Sequence, residues 1–300
     1  MVNSMLGANT APLEPLEARH TSTVHTNLPT ASQCSPCATF DTHADQWSSL
    51  LEHQVALLCD AEFDWFLHSA TWLNSKSVVD VGCGNGDYLA ALQRRFPAKS
   101  YVGTDTSEPL VGIAGRRHAS SGLTFMSGDY CERLKVIAPD AAVLRFVVQH
   151  LKNPLDFFDR LAFHNPSLIN VFVIEPDLQN SELIPEIPVL SRLISRHEER
   201  CEVRGHSRQS MSGLNGLVGL IGEKWCVAEE SQLSITHKRE SWSSTNIDGA
   251  LSGWLGSLSY LCTTEELASA SRDLYQWTGQ IGKELRLSAK IWCLNRTKLH

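Results

Sequence analysis

Asp80, Gly82, Gly84 and Gly86 stand at alternate positions at the end of the apolar run that opens VVDVGCGNGDYL. That spacing lets backbone come close to a bound ligand. A side chain at the glycines would clash with a ligand on the strand end, and glycine also supplies the backbone angles of a tight strand-to-helix turn. A dinucleotide fingerprint has its third glycine one residue later, where this chain carries Asp87. A carboxylate there repels a phosphate on the helix N-terminus. About 20 residues beyond the glycines, Asp105 in SYVGTDTS has the spacing of a ribose-binding carboxylate that ends a second strand. Two further groups have proton chemistry. His150, in QHL after the fourth predicted strand, is an imidazole at the cleft mouth that either takes a proton or shapes the pocket. Glu175, in VFVIEPD with Asp177 beside it, either binds a cation or accepts a proton, or else caps the following segment.

D-x-G-x-G-x-G after a strand resembles motif I of the class I S-adenosylmethionine-dependent methyltransferases of the small-molecule type. The resemblance implies S-adenosylmethionine as cofactor and S-adenosylhomocysteine as product. Asp80, Gly82, Cys83, Gly84 and Gly86 then form the cofactor loop, with Asp105 and Thr106 at the ribose. Such a ligand has no phosphate, and its hydroxyls, amino group and sulfonium favour acceptors or negative charge. Gly128, Asp129 and Tyr130 resemble the adenine-binding segment, Asp129 accepting from the exocyclic amine. AAVLRFVVQHLKNP resembles the fourth strand and its turn, which makes Arg145 a pairing residue near the cofactor whose backbone makes the contact. Gln46 and Trp47 either lie over the cofactor as part of a lid or belong to helices packed on the sheet. The resemblance spans Asp41 to Lys298.

Methyl transfer from a sulfonium is an in-line displacement in which alignment and desolvation do much of the work. An oxygen, carbon or protonated-nitrogen nucleophile also needs its proton removed, whereas a neutral amine or thiolate does not. His150 and Glu175 are the candidate bases. No N-P-P-Y-type signature follows the fourth strand, where RFVV stands instead, so a metabolite is favoured over nucleic acid or protein as acceptor. The acceptor atom, N, O or C, stays open. A protein that binds the cofactor for cyclisation or regulation is the second reading, because binding motifs and outcome are separable on one fold. A nicotinamide oxidoreductase is the third, disfavoured by the glycine spacing and by the lack of a basic 2′-phosphate reader after Asp105.

The composition, 42% hydrophobic and 20% charged, is a globular balance that excludes a fibrous or wholly disordered chain. A net charge of −7 argues against a phosphate-tracking surface, so nucleic acid is not expected. There is no apolar run of about 18 residues and no basic segment leading an apolar one at the N-terminus. The expectation is a soluble cytoplasmic protein that meets a small-molecule acceptor and no membrane, with a homodimer left open. The 9 cysteines are scattered and odd in number, which suits reduced thiols. Cys34 and Cys37 form C-x-x-C but lack the second ligand pair of a zinc site, so no metal is expected.

These residues are positioned by alternating strands and helices: Ser77–Val81, helix Asp87–Phe96, Ser100–Asp105, helix Glu108–Ala119, Thr124–Ser127, Ala141–Val147, Asn170–Glu175, Lys224–Thr236 and Ala289–Asn295. Repeated βα units predict an α/β fold: a doubly wound, mostly parallel seven-stranded sheet with an antiparallel last strand, its cleft at the carboxyl ends. Residues 1–40 read as a flexible tail and 41–300 as the methyltransferase domain. Within it, 41–76 form N-terminal helices or a lid, 77–176 the cofactor-binding core, and 177–223 and 241–285 helical insertions capping the substrate cleft. Arg192, Arg196, His197, Glu198, Glu199, Arg204, His206 and Arg208 read as a solvated mixed-charge run. Trp242 and Trp254 either line a cavity or join the core, and Thr263 to Glu266 signal a helix start.

Overall fold

Val78, Val79 and Val81 make β1 (Ser77–Val81) apolar on both faces, as a strand covered on both sides must be. In the computed structural model it is central, parallel to β2 (Ser100–Asp105) on one edge and to β4 (Ala141–Arg145) on the other. β3 (Thr124–Ser127) continues beyond β2, and β5 (Asn170–Pro176) beyond β4. β6 (Glu182–Ile184), β7 (Trp225–Lys238) and β8 (Glu284–Arg296) complete the sheet in the order β3-β2-β1-β4-β5-β8-β6, with β7 paired to β8. The winding reverses between β1 and β4, which opens the cleft at their carboxyl ends. The structure describes residues 43–177, 180–203, 214–238, 244–257, 262–280 and 282–297. The expected tail, Cys34, Cys37, Arg204, His206, Arg208 and Trp242 lie outside them, as do the side chains of His197 and Glu198.

The expected sheet gains a strand. β8 starts at Glu284, five residues before Ala289, where its pairing with β5 ends, and Glu182–Ile184 takes up that extra edge in register with Arg286–Glu284. Arg286 ties the addition together through Glu182 at 2.6 Å and Glu284 at 2.9 Å. β8 is antiparallel to all its neighbours, as expected of the last strand.

Side-chain alternation along the strands sends one core to each face. On the first, Phe63 and Phe66 of α1 (Ala44–His68), Trp72 of α2 (Ala70–Asn74) and Leu89 and Leu92 of α3 (Asp87–Arg95) meet Val78, Val143 and Phe172. Phe66 stacks on Trp72 with centroids 4.1 Å apart and takes Phe172 edge-on at 5.5 Å. Such pairs each contribute about 0.5–1.5 kcal/mol beyond area burial. α4 (Glu108–Arg117) flanks β3 and β2. On the second face, Leu134 of α5 (Tyr130–Ile137), Phe158 and Leu161 of α6 (Pro154–His164) and Leu217 of α8 (Leu214–Ile221) cover Val79, Leu144 and Val171.

The additions share a third core, formed by Leu190 and Leu193 of α7 (Pro188–Val203), Ile247 and Leu251 of α9 (Ser244–Ser257) and Leu274 and Trp277 of α10 (Thr264–Gly279). Trp254 packs against it, half-buried. Thr263 starts α10 with the reciprocal capping box: Glu266 N–H donates to the Thr263 hydroxyl and Thr263 N–H to the Glu266 carboxylate. Arg196 pairs with Glu266 at 2.9 Å, and Arg192, Arg196 and Glu199 of the mixed-charge run are exposed. Among the described residues no helix is long and apolar enough to cross a membrane.

Candidate functional site

The loop after β1 is built from glycines in left-handed conformation, with φ of +81° at Gly82, +54° at Gly84 and +78° at Gly86. A Cβ at Gly82 would lie 2.6 Å from Val147 and one at Gly84 would lie 2.5 Å from Leu51, so only glycine fits. β2 holds this loop: Gly82 N–H and Cys83 N–H both donate to Thr104 O, at 2.7 and 3.0 Å. Asp105 does the rest, accepting Gly84 N–H at 2.8 Å on one oxygen and Ser107 N–H at 2.8 Å on the other. One carboxylate therefore orders the glycine loop and the start of α4 together, with exposed Thr106 between. The Cys83 thiol lies beneath the loop, where Gly103 leaves it room, a Cβ there coming within 2.8 Å of the sulfur. Burial and the carboxylates of Asp105 and Asp80 push that thiol up, so Cys83 offers the site its backbone alone. Asp80, 2% exposed at the end of β1, is pushed up to about 7 by burial, against the lowering effect of Arg145.

α1 lies across this loop. Besides the Leu51 contact, Asn85 Nδ2 donates to Ser48 O at 2.8 Å and to Asp87 at 2.7 Å. Arg117 bridges Asp87 at 2.8 Å and Glu52 at 2.7 Å, and His118 meets Asp87 at 3.0 Å. Asp87 thus faces the Arg117 guanidinium at the end of α4 and the His118 ring just beyond it. On its other side α1 meets α9, where a Cβ at Gly249 would collide with His53 and one at Gly253 would crowd Leu50. Gln46 is exposed and Trp47 half-buried in the first turns of this covering helix.

At the end of β4, the Arg145 guanidinium is committed to Glu62 of α1, its Nε 3.0 Å from both carboxylate oxygens and the two side chains 5% and 0% exposed. It also donates to Gln54 O at 3.2 Å and lies over the rings of Tyr88 and Phe146 at 4.6 and 4.3 Å. Phe146 then turns the chain with φ of +59°, a conformation that costs about 1–3 kcal/mol in a non-glycine residue. His150, half-buried, ends the 3₁₀ turn Val148–His150 that follows. Glu175, 1% exposed, reaches the same turn from β5 and accepts Val148 N–H at 2.7 Å. Asp177, by contrast, accepts from Asn180 Nδ2 at 2.8 Å and from Gln232 Nε2 of β7 at 3.1 Å on one oxygen, which ties the segment after β5 to β7.

The segment after β3 has partners of its own. Asp129 caps α5 through Cys131 N–H at 2.8 Å and pairs with Arg160 of α6 at 2.9 Å. Burial works to raise its carboxyl, but Arg160 and the amide outweigh it and hold it below the usual range. Tyr130 packs toward α6, its ring tilted by 39° against Phe157 with centroids 4.3 Å apart. Gly128 N–H donates to Asp105 O at 2.9 Å, which links this segment to the end of β2. Sequence reasoning had no sign of Glu62, Leu51, Asn85 or Arg117 at the site. Spacing within one strand or helix carries nothing about what a distant helix lays across it. Among the described residues, no cluster of three or more His, Cys, Asp and Glu side chains is placed to hold a metal ion.

Residues 51–203 match a family described as methyltransferase domain. The trans-aconitate 2-methyltransferase of Acidovorax sp. (strain JS42) is 31% identical over 86 residues, 29% of this chain and 33% of that protein. The fatty-acid O-methyltransferase of Mycolicibacterium smegmatis is 31% identical over 117 residues, 38% of this chain and 37% of that protein. The trans-aconitate 2-methyltransferase of Escherichia coli (strain K12 / DH10B) is 28% identical over 169 residues, 56% of this chain and 63% of that protein. The chain therefore spans from about a third to under two thirds of the length of these curated relatives.

Proposed function

The chain belongs to the methyltransferase-domain family, and we propose that it transfers a methyl group from S-adenosylmethionine to a small-molecule acceptor. The observation that carries this reading is the 2.8 Å bond from Gly84 N–H to Asp105, which joins a side-chain-free loop to a carboxylate at the next strand end. A nucleoside with ribose hydroxyls and no phosphate suits that pair. A carboxylate at that strand end is an acceptor suited to ribose hydroxyls. Asp80 adds a buried carboxyl poised near neutrality, and a cationic ligand favours its charged form.

When bound, S-adenosylmethionine supplies the methyl group on an activated sulfonium. The glycine loop lets the backbone approach it, Asp105 orients the ribose, and α1 with the cap excludes water from the line of attack. His150, in the 3₁₀ turn that follows β4, takes the proton of a hydroxyl or acidic carbon acceptor. A carboxylate acceptor, the group that the named relatives bring to the head of the test panel, is already ionised and needs His150 only to orient it. The test is titration with S-adenosylhomocysteine followed by melting, because a ligand selective for the folded state raises its stability. The wild type is expected to melt higher at saturating ligand, and Asp105→Ala to lose about 1–3 kcal/mol of affinity. No shift in the wild type, or unchanged affinity in the variant, refutes the cofactor assignment.

A further inference from the structure

Glu175 is the buried group at the cleft that the mechanism leaves unused. It lies 1% exposed at the end of β5, with its Oε1 2.7 Å from Val148 N. The amide it accepts belongs to the first residue of the 3₁₀ turn, two residues beyond Phe146, whose φ is +59°. An aromatic residue in the left-handed region persists only where its surroundings over-determine it. Here β5 supplies two of the determinants: Phe146 N–H donates to Ile174 O at 2.7 Å, and Val148 N–H donates to Glu175. Gln149 adds a bond from Nε2 to Phe146 O at 3.3 Å, and the Arg145 guanidinium covers the Phe146 ring at 4.3 Å. The turn held in this way sets two features of the site. Val147 comes to rest where a Cβ on Gly82 would touch it at 2.6 Å, which closes one side of the glycine loop, and His150 is placed at the end of the same turn.

We infer that Glu175 is a positioning residue: its carboxylate accepts the amide that locks the turn of residues 145–150, and so shapes one side of the glycine loop and places His150. It takes no proton from the acceptor. The Val148 amide needs only an acceptor, which Oε1 supplies from β5, so an uncharged side-chain carbonyl at the same place serves as well. The link from turn to ligand rests on the cofactor reading of the cleft, whereas the link from Glu175 to the turn does not. The two are therefore tested by separate readouts.

In the full chain, Glu175→Gln keeps a carbonyl at the accepting position and Glu175→Ala removes it. Hydrogen exchange of the peptide spanning residues 145–151 reads the turn directly. The Gln variant is expected within about threefold of wild type, and the Ala variant faster by about tenfold or more. S-adenosylhomocysteine titration is expected to follow the same order, with Ala weakened about tenfold and Gln nearly unchanged. Should Ala destabilise the whole chain, the comparison across peptides still decides, because global loosening raises exchange in β1 and β5 as much as in the turn, whereas the inference expects the increase to be concentrated in residues 145–151. Wild-type exchange in the Ala variant overturns the inference. So does a Gln variant as impaired as Ala, or an Ala variant whose exchange rises equally throughout the chain. A wild type that ignores S-adenosylhomocysteine overturns the cofactor reading instead, and the exchange data still decide the role of Glu175.

Discussion

Removing one half of the Arg145–Glu62 pair tests how firmly α1 is fastened over the cleft. Glu62 is 0% and Arg145 5% exposed by side chain, with both carboxylate oxygens 3.0 Å from Nε, so neither charge can fall back on water. Deleting one partner of such a pair leaves the other buried and uncompensated, at a cost of about 3–5 kcal/mol. In a domain of this size each kcal/mol lowers the melting temperature by about 2–4 °C, so Glu62→Gln should melt about 6–20 °C below wild type. Replacing both residues by leucine removes two charges together, and such exchanges are often neutral or stabilising. The double variant should therefore recover most of the loss, although the Gln54 carbonyl then gives up its bond to Arg145. Thermal and urea denaturation of the singles and the double, read as a double-mutant cycle, give the coupling directly. A Glu62→Gln variant within about 0.5 kcal/mol of wild type, or a double as unstable as the single, would falsify the account of the pair as a buried, mutually dependent clamp. Arg145 also lowers the Asp80 carboxyl. Arg145→Leu should thus raise Asp80 further and weaken binding of the cationic cofactor near neutral pH, even where the fold survives.

Asp80 makes a pH prediction of its own. Its folded value of about 7 lies above the ordinary 3.8, so its contribution to stability is present below that ordinary value and is lost as pH rises toward 7; Asp80→Asn should lack this loss and melt above the ligand-free wild type at about pH 8, and parallel melting curves from acid to base would count against the burial argument. His150→Asn should keep S-adenosylhomocysteine affinity while cutting single-turnover transfer to a hydroxyl or carbon acceptor by about 10²–10⁴ and flattening its pH profile. A wild-type profile in that variant removes His150 from proton transfer and points to an acceptor that needs no base.

The parts of the site that could be read from the sequence are those made by neighbours along the chain. Gly82, Gly84 and Gly86 announce a left-handed loop because each local φ excludes a side chain, and Ser77–Val81, Ser100–Asp105 and Thr124–Ser127 end where the apolar alternation ends. Two helices escaped although their caps were present: Asp129 before α5, and Asn153 before Pro154, whose side chain accepts Asp156 N–H at 3.1 Å. In the first case the aspartate was read for a ligand contact and its capping of α5 was passed over. An aspartate at a strand end is suited to either task, and Arg160, 31 residues away, could not be read beside it. The eighth strand, Glu182–Ile184, escaped for a different reason. Three residues carry no period, and the segment is extended only because β8 overruns β5 and offers it an edge.

The carboxylates show most clearly where reading along the chain stops. Asp80, Asp105, Asp129 and Glu175 each end or follow a strand at the cleft, and sequence position alone makes them equivalent. Their partners separate them. Asp105 takes two amides from its own side of the sheet and serves the loop. Asp129 is drawn off by a cation on α6. Glu175 is turned inward to an amide on the neighbouring strand's turn, and Asp80 is left to burial, opposed by a guanidinium that Glu62 already holds. What distinguishes a ligand-binding carboxylate from a scaffold one is thus the set of donors that other elements bring to it. Those donors lie up to 83 residues away, in the case of Glu62 and Arg145, and only the folded chain brings them together.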